Sequence, residues 1–277
     1  MRTRLAAVST VADGAREADL VFRYRLGLQP AQRILHARGE VGPRAFEAVE
    51  EVVSRREAGL PLAYALGRAE FGGLLFAVGP AVLIPRPDTE FLVARGDEYL
   101  RDKRPASATL LDLGCGCGCV GLTLAARHPQ LTVTLTDVSK PALDVARTNA
   151  RRLGLEDRCT FSAGDWFAAV RRRERFSIVL CNPPYVTRRD DPQLAEEVRR
   201  HEPSLALFLD HEPVEFFFRL ARKAVSHLVS GGLFAVEVGY DTAWAARCGI
   251  EKVNALRRGH EIHDFAGIER VIWGIRK

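Results

Sequence analysis

The chain has 277 residues, enough for one large domain or two smaller ones with a sizeable core, so disulfides and metals are not needed to explain folding. Its net charge of +5 permits an acidic or nucleic-acid partner without demanding one, and Lys occurs only at 103, 140, 223, 252 and 277, leaving the other 35 of the 40 basic residues as Arg. No apolar run approaches the ~18 residues of a membrane span, and the six cysteines (115, 117, 119, 159, 181 and 248) have neither zinc-ligand nor redox-pair spacing, so no metal site and no membrane contact are expected.

The first twelve residues hold two Arg and no acid, but Asp13, Glu17 and Asp19 end that targeting-like pattern, and the expected location is the cytoplasm. Residues 10 to 60 read as helical, with apolar positions at Val21, Phe22 and Leu26 and again at Phe46, Val49, Val52 and Val53. Pro30 and Pro43 fit helix starts, and Gly39, Gly42 and Gly59 fit helix ends. A small all-α module over residues 1–67 is therefore predicted. From Glu70 the texture changes to β-like runs broken by Gly72 and Gly73, which predicts a connecting hairpin over 68–84. Then Pro85-Arg86-Pro87-Asp88-Thr89-Glu90 leads into a helix to about residue 100, and the segment is either a stiff linker with a capped helix or one in which Arg86 or Glu90 faces a ligand.

A second domain is predicted over 85–277, in which strands and helices alternate from Thr109 onward. Strands are expected at 109–113, 131–137, 159–163, 176–181, 232–238, 260–265 and 270–275, and helices at 118–127, 140–153, 214–229 and 241–256. The alternation implies an α/β fold with a doubly wound, mostly parallel seven-stranded sheet, and the last two strands suggest an antiparallel hairpin at one edge. Arg171 to Arg175 is a charge run that reads as a solvated face or loop.

The first strand runs into Leu111-Asp112-Leu113-Gly114-Cys115-Gly116-Cys117-Gly118. Glycines let the backbone turn and approach a ligand, and the following helix aims N–H groups at it. The G-x-G-x-G spacing differs from the G-x-G-x-x-G of dinucleotide sites, and together with Asp112 it points to S-adenosylmethionine. Asp137 ends the second strand, where an acid can accept both ribose hydroxyls; the plainer alternative is a helix N-cap, a role open to Ser139 as well. Asp165 and Trp166 follow the third strand, as acceptor and stacking ring for the adenine, although a Trp alone is more often core. The fourth strand stops at Cys181-Asn182-Pro183-Pro184-Tyr185, because two prolines cannot continue a ladder. Asn182 offers a carbonyl acceptor beside the neighbouring backbone carbonyl and an aromatic ring, a set that suits a planar NH2 group. All four sites fall at the ends of successive strands, so a doubly wound sheet gathers them on one rim, and Asn182 borders both cofactor and substrate.

Pro85 to Glu90, the Asp112 to Gly118 loop, Gly164-Asp165-Trp166-Phe167, Asn182-Pro183-Pro184-Tyr185 and Glu202-Pro203 together resemble the HemK/PrmC family, the release-factor glutamine N5-methyltransferases. The likeness extends through Leu228 to Gly232 and Asp264 to Arg270, roughly residues 60 to 277. It implies a helical domain that binds the release factor and a Rossmann-like class I methyltransferase domain. S-adenosylmethionine would lie on Gly114, Cys115, Gly116, Cys117, Gly118, Asp137, Trp166 and Asn182. The substrate glutamine of a Gly-Gly-Gln motif would meet Asn182, Pro183, Pro184 and Tyr185, of which Asn182, Pro183 and Tyr185 are the catalytic set. The sequence departs from the family at Cys115 and Cys117, where small residues or Thr are usual, and before about residue 20. An amino-methyltransferase acting on an exocyclic base amine of DNA or RNA is the alternative, because the same Asn-Pro-Pro-Tyr corner would serve a flipped-out base. No basic patch interleaved with aromatic residues supports it, so no stable nucleic-acid contact is expected.

Overall fold

Runs such as Leu110-Leu111 and Ile178-Val179-Leu180 are apolar on both sides of the strand, which requires a sheet covered on both faces. The structure, a computed structural model, describes residues 1, 4–5, 11–29, 31–32, 42–188 and 190–277. Its centre is an eight-stranded sheet in the order β5-β4-β3-β6-β7-β10-β8, with β9 paired to β10. These strands are β3 (Ala108–Leu113), β4 (Leu131–Asp137), β5 (Cys159–Ala163), β6 (Phe176–Cys181), β7 (Leu228–Glu237), β8 (Leu256–Arg258), β9 (Ile262–His263) and β10 (Glu269–Arg276). The five strands from β5 to β7 are parallel, and β10 runs antiparallel to β7, β8 and β9.

Successive residues of a strand point to opposite faces. Leu110 and Leu180 accordingly join a core with Leu92 and Leu100 of α4 (Thr89–Lys103), Leu122 and Leu124 of α5 (Cys119–Arg127) and Leu143 of α6 (Lys140–Arg152). On the other face, Leu111 and Val179 join Phe217 and Leu220 of α9 (Pro213–His227) and Ala246 and Ile250 of α10 (Ala243–Glu251). The class I methyltransferase arrangement expected from the sequence is present.

The C-terminal edge differs in detail from the expectation. The helix foreseen to residue 256 stops at Glu251, and Leu256 is drawn into the sheet opposite Arg276. Leu256 is buried there, and beyond β8 the Trp273 ring fills the space a side chain at Gly259 would need. The strand foreseen at 260–265 shrinks to Ile262–His263, which pairs antiparallel with β10, and β10 itself lies between β7 and the unforeseen β8.

The N-terminal module comprises α1 (Val11–Leu26), α2 (Pro43–Glu57) and α3 (Leu62–Leu66), followed by the antiparallel hairpin of β1 (Arg68–Phe71) and β2 (Leu74–Ala77). Val21, Val52, Ala65 and Leu66 form its core, whereas Phe46 is 59% exposed. Gly42, expected to end a helix, instead precedes one as the N-cap of α2; Pro30 and Gly39 lie outside the described residues. Arg56 is buried and bonds Glu17 at 3.1 Å and Glu197 at 2.7 Å. Glu197 belongs to α7 (Glu196–His201), which with α8 (Ser204–Leu207) occupies the excursion between β6 and α9. That excursion also walls the functional site. Among the described residues no helix is long and apolar enough to cross a membrane.

Candidate active site

The ends of β3, β4, β5 and β6 meet at a cavity of about 310 Å³, within the usual size of a small-molecule site. Asp112 enters from β3 and is almost fully buried, its Oδ2 accepting the Gly121 N–H of α5 at 2.8 Å. Burial, only partly offset by that bond, pushes its carboxyl up to about 7. A side chain at Gly121 would lie 2.9 Å from Oδ2, so strand and helix can approach this closely only with glycine there. The loop then folds on itself: Gly114 and Cys115 both donate to the Thr136 carbonyl at 2.9 Å, and Gly118 donates to Cys115 at 2.8 Å. Gly118 takes φ +80, and a Cβ there would meet Leu122 at 2.9 Å. Cys115 and Cys117 are buried packing residues, and burial raises the Cys115 thiol well above its ordinary range.

Asp137 braces this loop. Its Oδ2 accepts the Gly116 N–H at 2.9 Å and its Oδ1 accepts the Ser139 N–H at 2.8 Å. The cap of α6 is Ser139, whose hydroxyl accepts the Ala142 N–H, so Asp137 is not the N-cap. A carboxylate has about four lone-pair sites, so two remain for hydroxyl donors from the cavity that Asp137 lines. On the far side Asp165 and Trp166 line the same cavity. Trp166 holds φ +46, a strained position for a bulky residue, and its ring meets Phe216 edge to face at 5.4 Å.

The Asn182 corner is assembled from distant segments. Asn182 Nδ2 donates to Thr89 Oγ1 at 3.2 Å, and the Tyr185 hydroxyl donates to Glu237 Oε1 at 3.3 Å. Thr89 and Glu237 are 2% and 1% exposed, and burial pushes Glu237 up to about 7 and Tyr185 above its ordinary range. Asn182 and Pro184 line the cavity, whereas Pro183 and Tyr185 are not among its lining residues. Arg86 also lines the cavity and bonds the buried Glu202 at 2.5 Å, whose second oxygen accepts the Ile84 N–H at 3.1 Å. Glu90 instead turns to the hairpin and accepts from Gly72. Of the two ligand-facing candidates in that segment, Arg86 is the one at the cavity.

Sequence reasoning missed Thr89 as a contact of Asn182, and it missed Glu237 and Asn149. Glu237 had a legible signal, since an acid interrupts the apolar run from Leu233 to Val238 at a strand end. Asn149 sits within α6, fully buried, and ties both the Ala77 amide and the Ala77 and Cys117 carbonyls at 2.6, 3.0 and 2.9 Å. Nothing in its local sequence distinguishes it from a surface helix residue.

A glycine loop that presents backbone donors, a strand-end acid with free acceptor sites and a cavity continuous from Asp137 to Asn182 fit S-adenosylmethionine. The fold and this site define a class I S-adenosylmethionine-dependent methyltransferase. Two family models match: the methyltransferase small domain over residues 89–203 and the PrmC N-terminal domain over residues 1–67. A release factor glutamine methyltransferase from Bordetella pertussis is 40% identical over 258 residues, covering 93% of both chains. Another from Cereibacter sphaeroides is 35% identical over 271 residues, covering 97% of this chain and 93% of that one. The chain belongs to the release factor glutamine methyltransferase family. In fold it is also similar to a methyltransferase from Pyrococcus furiosus, with a TM-score of 0.52 at 18% identity over 80% of this chain and 98% of that chain.

Proposed function

We propose that the chain transfers a methyl group from S-adenosylmethionine to the side-chain amide nitrogen of the glutamine in the Gly-Gly-Gln motif of cytoplasmic peptide chain release factors. The observation that carries this reading is the Asn182 amide, held through Nδ2 by Thr89 at the cavity wall so that Oδ1 is left as an acceptor. Family membership supplies the substrate class.

A glutamine amide nitrogen is a poor nucleophile because its lone pair is delocalised into the carbonyl. Asn182 Oδ1 and the Pro183 carbonyl accept its two N–H groups and stabilise the positive charge that develops as the new N–C bond forms. Tyr185, anchored on Glu237, packs against the flat amide and limits its tilt. When bound, S-adenosylmethionine supplies a methyl carbon made electrophilic by its sulfonium. Gly114, Cys115, Gly116, Cys117 and Gly118 hold its amino-acid end, Asp137 its ribose and Trp166 its base. The extra proton leaves the nitrogen after transfer, so no strong base is required. Residues 1–67 serve as the substrate-recognition domain, 68–84 as the connecting hairpin and 85–277 as the catalytic domain. The Arg56 to Glu197 pair supports coupling between them, because α7 precedes the Glu202 segment at the cavity.

Incubation with labelled S-adenosylmethionine and purified release factor tests this. Label is expected in the wild-type factor and absent when its motif Gln is replaced. Equal labelling of both would sink the substrate assignment.

A further inference from the structure

The closing Asp264 to Arg270 stretch belongs to the family likeness, and nothing in the reaction above uses it. It forms the turn between β9 and β10, and its backbone is closely tied. Asp264 Oδ1 accepts the Ala266 and Ile268 N–H groups at 2.9 Å, the Asp264 N–H donates to the Ile268 carbonyl at 2.8 Å, and the Gly267 N–H donates to the Asp264 carbonyl at 3.0 Å. Phe265 stands at the tip, fully exposed, with its ring edge to face on Phe91 of α4 at 5.6 Å between centroids. A slack loop could turn such a ring inward and away from water; this turn holds it out.

Three links fasten the turn to the Asn182 corner. Arg270 bonds Asp264 at 2.8 Å and Asp88 at 3.0 Å, and Asp88 directly precedes Thr89, the partner of Asn182. Val271 pairs across the ladder with Glu237, the partner of Tyr185. The Arg270 carbonyl accepts the Val238 N–H at 3.0 Å, and the next residue, Gly239, lies so close to Tyr185 that a Cβ there would be 2.9 Å from its ring. Beyond Gly239 follow Tyr240 and, at the start of α10, Trp244, which are 69% and 63% exposed. Exposed apolar residues scattered singly need no explanation. Three large rings on two segments that are bonded to each other and to the site do.

The substrate's chemistry says what covers them. A glutamine carried by a protein brings its neighbouring backbone to the rim with it, and the two glycines before it have no side chains to be held by. A grip on that segment has to come from rings laid against bare peptide planes and from apolar contacts just beyond. Aromatic residues suit this, because they bury a large area with few rotors to freeze. We propose that Phe265, Tyr240 and Trp244 form a docking rim for the release-factor segment that flanks the Gly-Gly-Gln motif. The inference rests on the glutamine-methylating reading and deepens it, adding a contact on the catalytic domain to the recognition assigned to residues 1–67. Because Arg270 and Gly239 fix the rim to the Asn182 corner, a segment held there also has its glutamine aimed.

The test uses the full-length enzyme and purified release factor. Phe265→Ser and Trp244→Ser each remove an exposed ring, and Val229→Ser, exposed at the opposite end of β7, is the control. In both ring variants KM for the factor is expected to rise about fivefold or more. In the control it should stay within about twofold, as should kcat at saturating factor and Kd for S-adenosylmethionine in all three. Unchanged KM in the ring variants would overturn the proposal, and Trp244→Ser decides alone should Phe265→Ser fail to fold. A second readout needs no turnover. Phe265→p-benzoylphenylalanine, irradiated together with the factor, is expected to cross-link to the segment adjoining the motif, as located by mass spectrometry. A factor that is methylated normally yet gives no cross-link, or one only in a distant domain, overturns the docking rim and leaves the glutamine reading intact. A factor that cross-links beside its motif yet stays unlabelled by the wild-type enzyme overturns the glutamine reading and leaves the docking rim standing.

Discussion

The two halves of the site are built differently. The cofactor cradle is local: β3, the glycine loop and α5 follow one another, and backbone groups do most of the contacting, as in the Gly121 N–H on Asp112 and the paired amides on Thr136. The Asn182 corner is non-local, made of side chains that meet only because β6, β7 and the start of α4 converge. A backbone cradle tolerates variation in side chains, which is why Cys115 and Cys117 can stand in a loop where small residues or Thr are usual. A corner made of directional side-chain bonds has no such latitude, because each bond depends on one donor and one acceptor.

The sharpest way to break this contrast is Asn182→Ala. It should lower kcat for methyl transfer by about 10²- to 10³-fold, the usual cost of losing one group that stabilises developing charge, with Kd for S-adenosylmethionine nearly unchanged. A large loss of cofactor affinity in isothermal titration would merge the halves and refute the division. Next in size is Asn149→Ala, which removes the side chain that holds the Cys117 carbonyl of the glycine loop to the hairpin at Ala77. It leaves buried backbone groups unmatched and should destabilise the fold by about 2–4 kcal/mol in urea denaturation. Stability within about 0.5 kcal/mol of wild type would mean that the loop holds itself.

Asp137→Ala should weaken S-adenosylmethionine binding about tenfold, equivalent to 1.4 kcal/mol, while kcat at saturating cofactor changes little. The reverse pattern would place Asp137 with the Asn182 half. The smallest effect is a pH dependence. Asp112 is raised from its ordinary 3.8 to about 7 by burial. The folded state therefore keeps a proton that the unfolded chain has lost, and the contribution of this group to stability falls as pH rises between those values. Asp112→Asn removes that slope. Its stability relative to wild type should climb across the window and level off above about pH 7, as read by denaturation at about pH 5 and pH 8. A constant difference would show that the carboxyl is ionised throughout.

The same contrast explains what could be read in advance. The strands at 131–137, 159–163 and 176–181 match β4, β5 and β6 end to end; the signal is Leu131, Val133 and Leu135 alternating with threonines in β4 and the apolar run Ile178 to Cys181 in β6. The boundary at Leu256 was misread because its strand identity comes from pairing with Arg276 across the ladder, a partner distant in sequence. Phe46 belongs to a helical stripe in the sequence and yet is exposed, since periodicity marks a face without saying that anything covers it.

By itself the sequence determined the parallel sheet, the glycine loop and the presence of an amide and a tyrosine beside a proline-stopped strand, because each follows from the chemistry of neighbouring residues. Only the tertiary structure decided that Arg86 bonds Glu202, that Asn149 ties the loop to the hairpin and that Thr89 and Glu237 stand behind Asn182. A hydrogen bond specifies its partner by position and direction in space, and the chain written as a line carries neither.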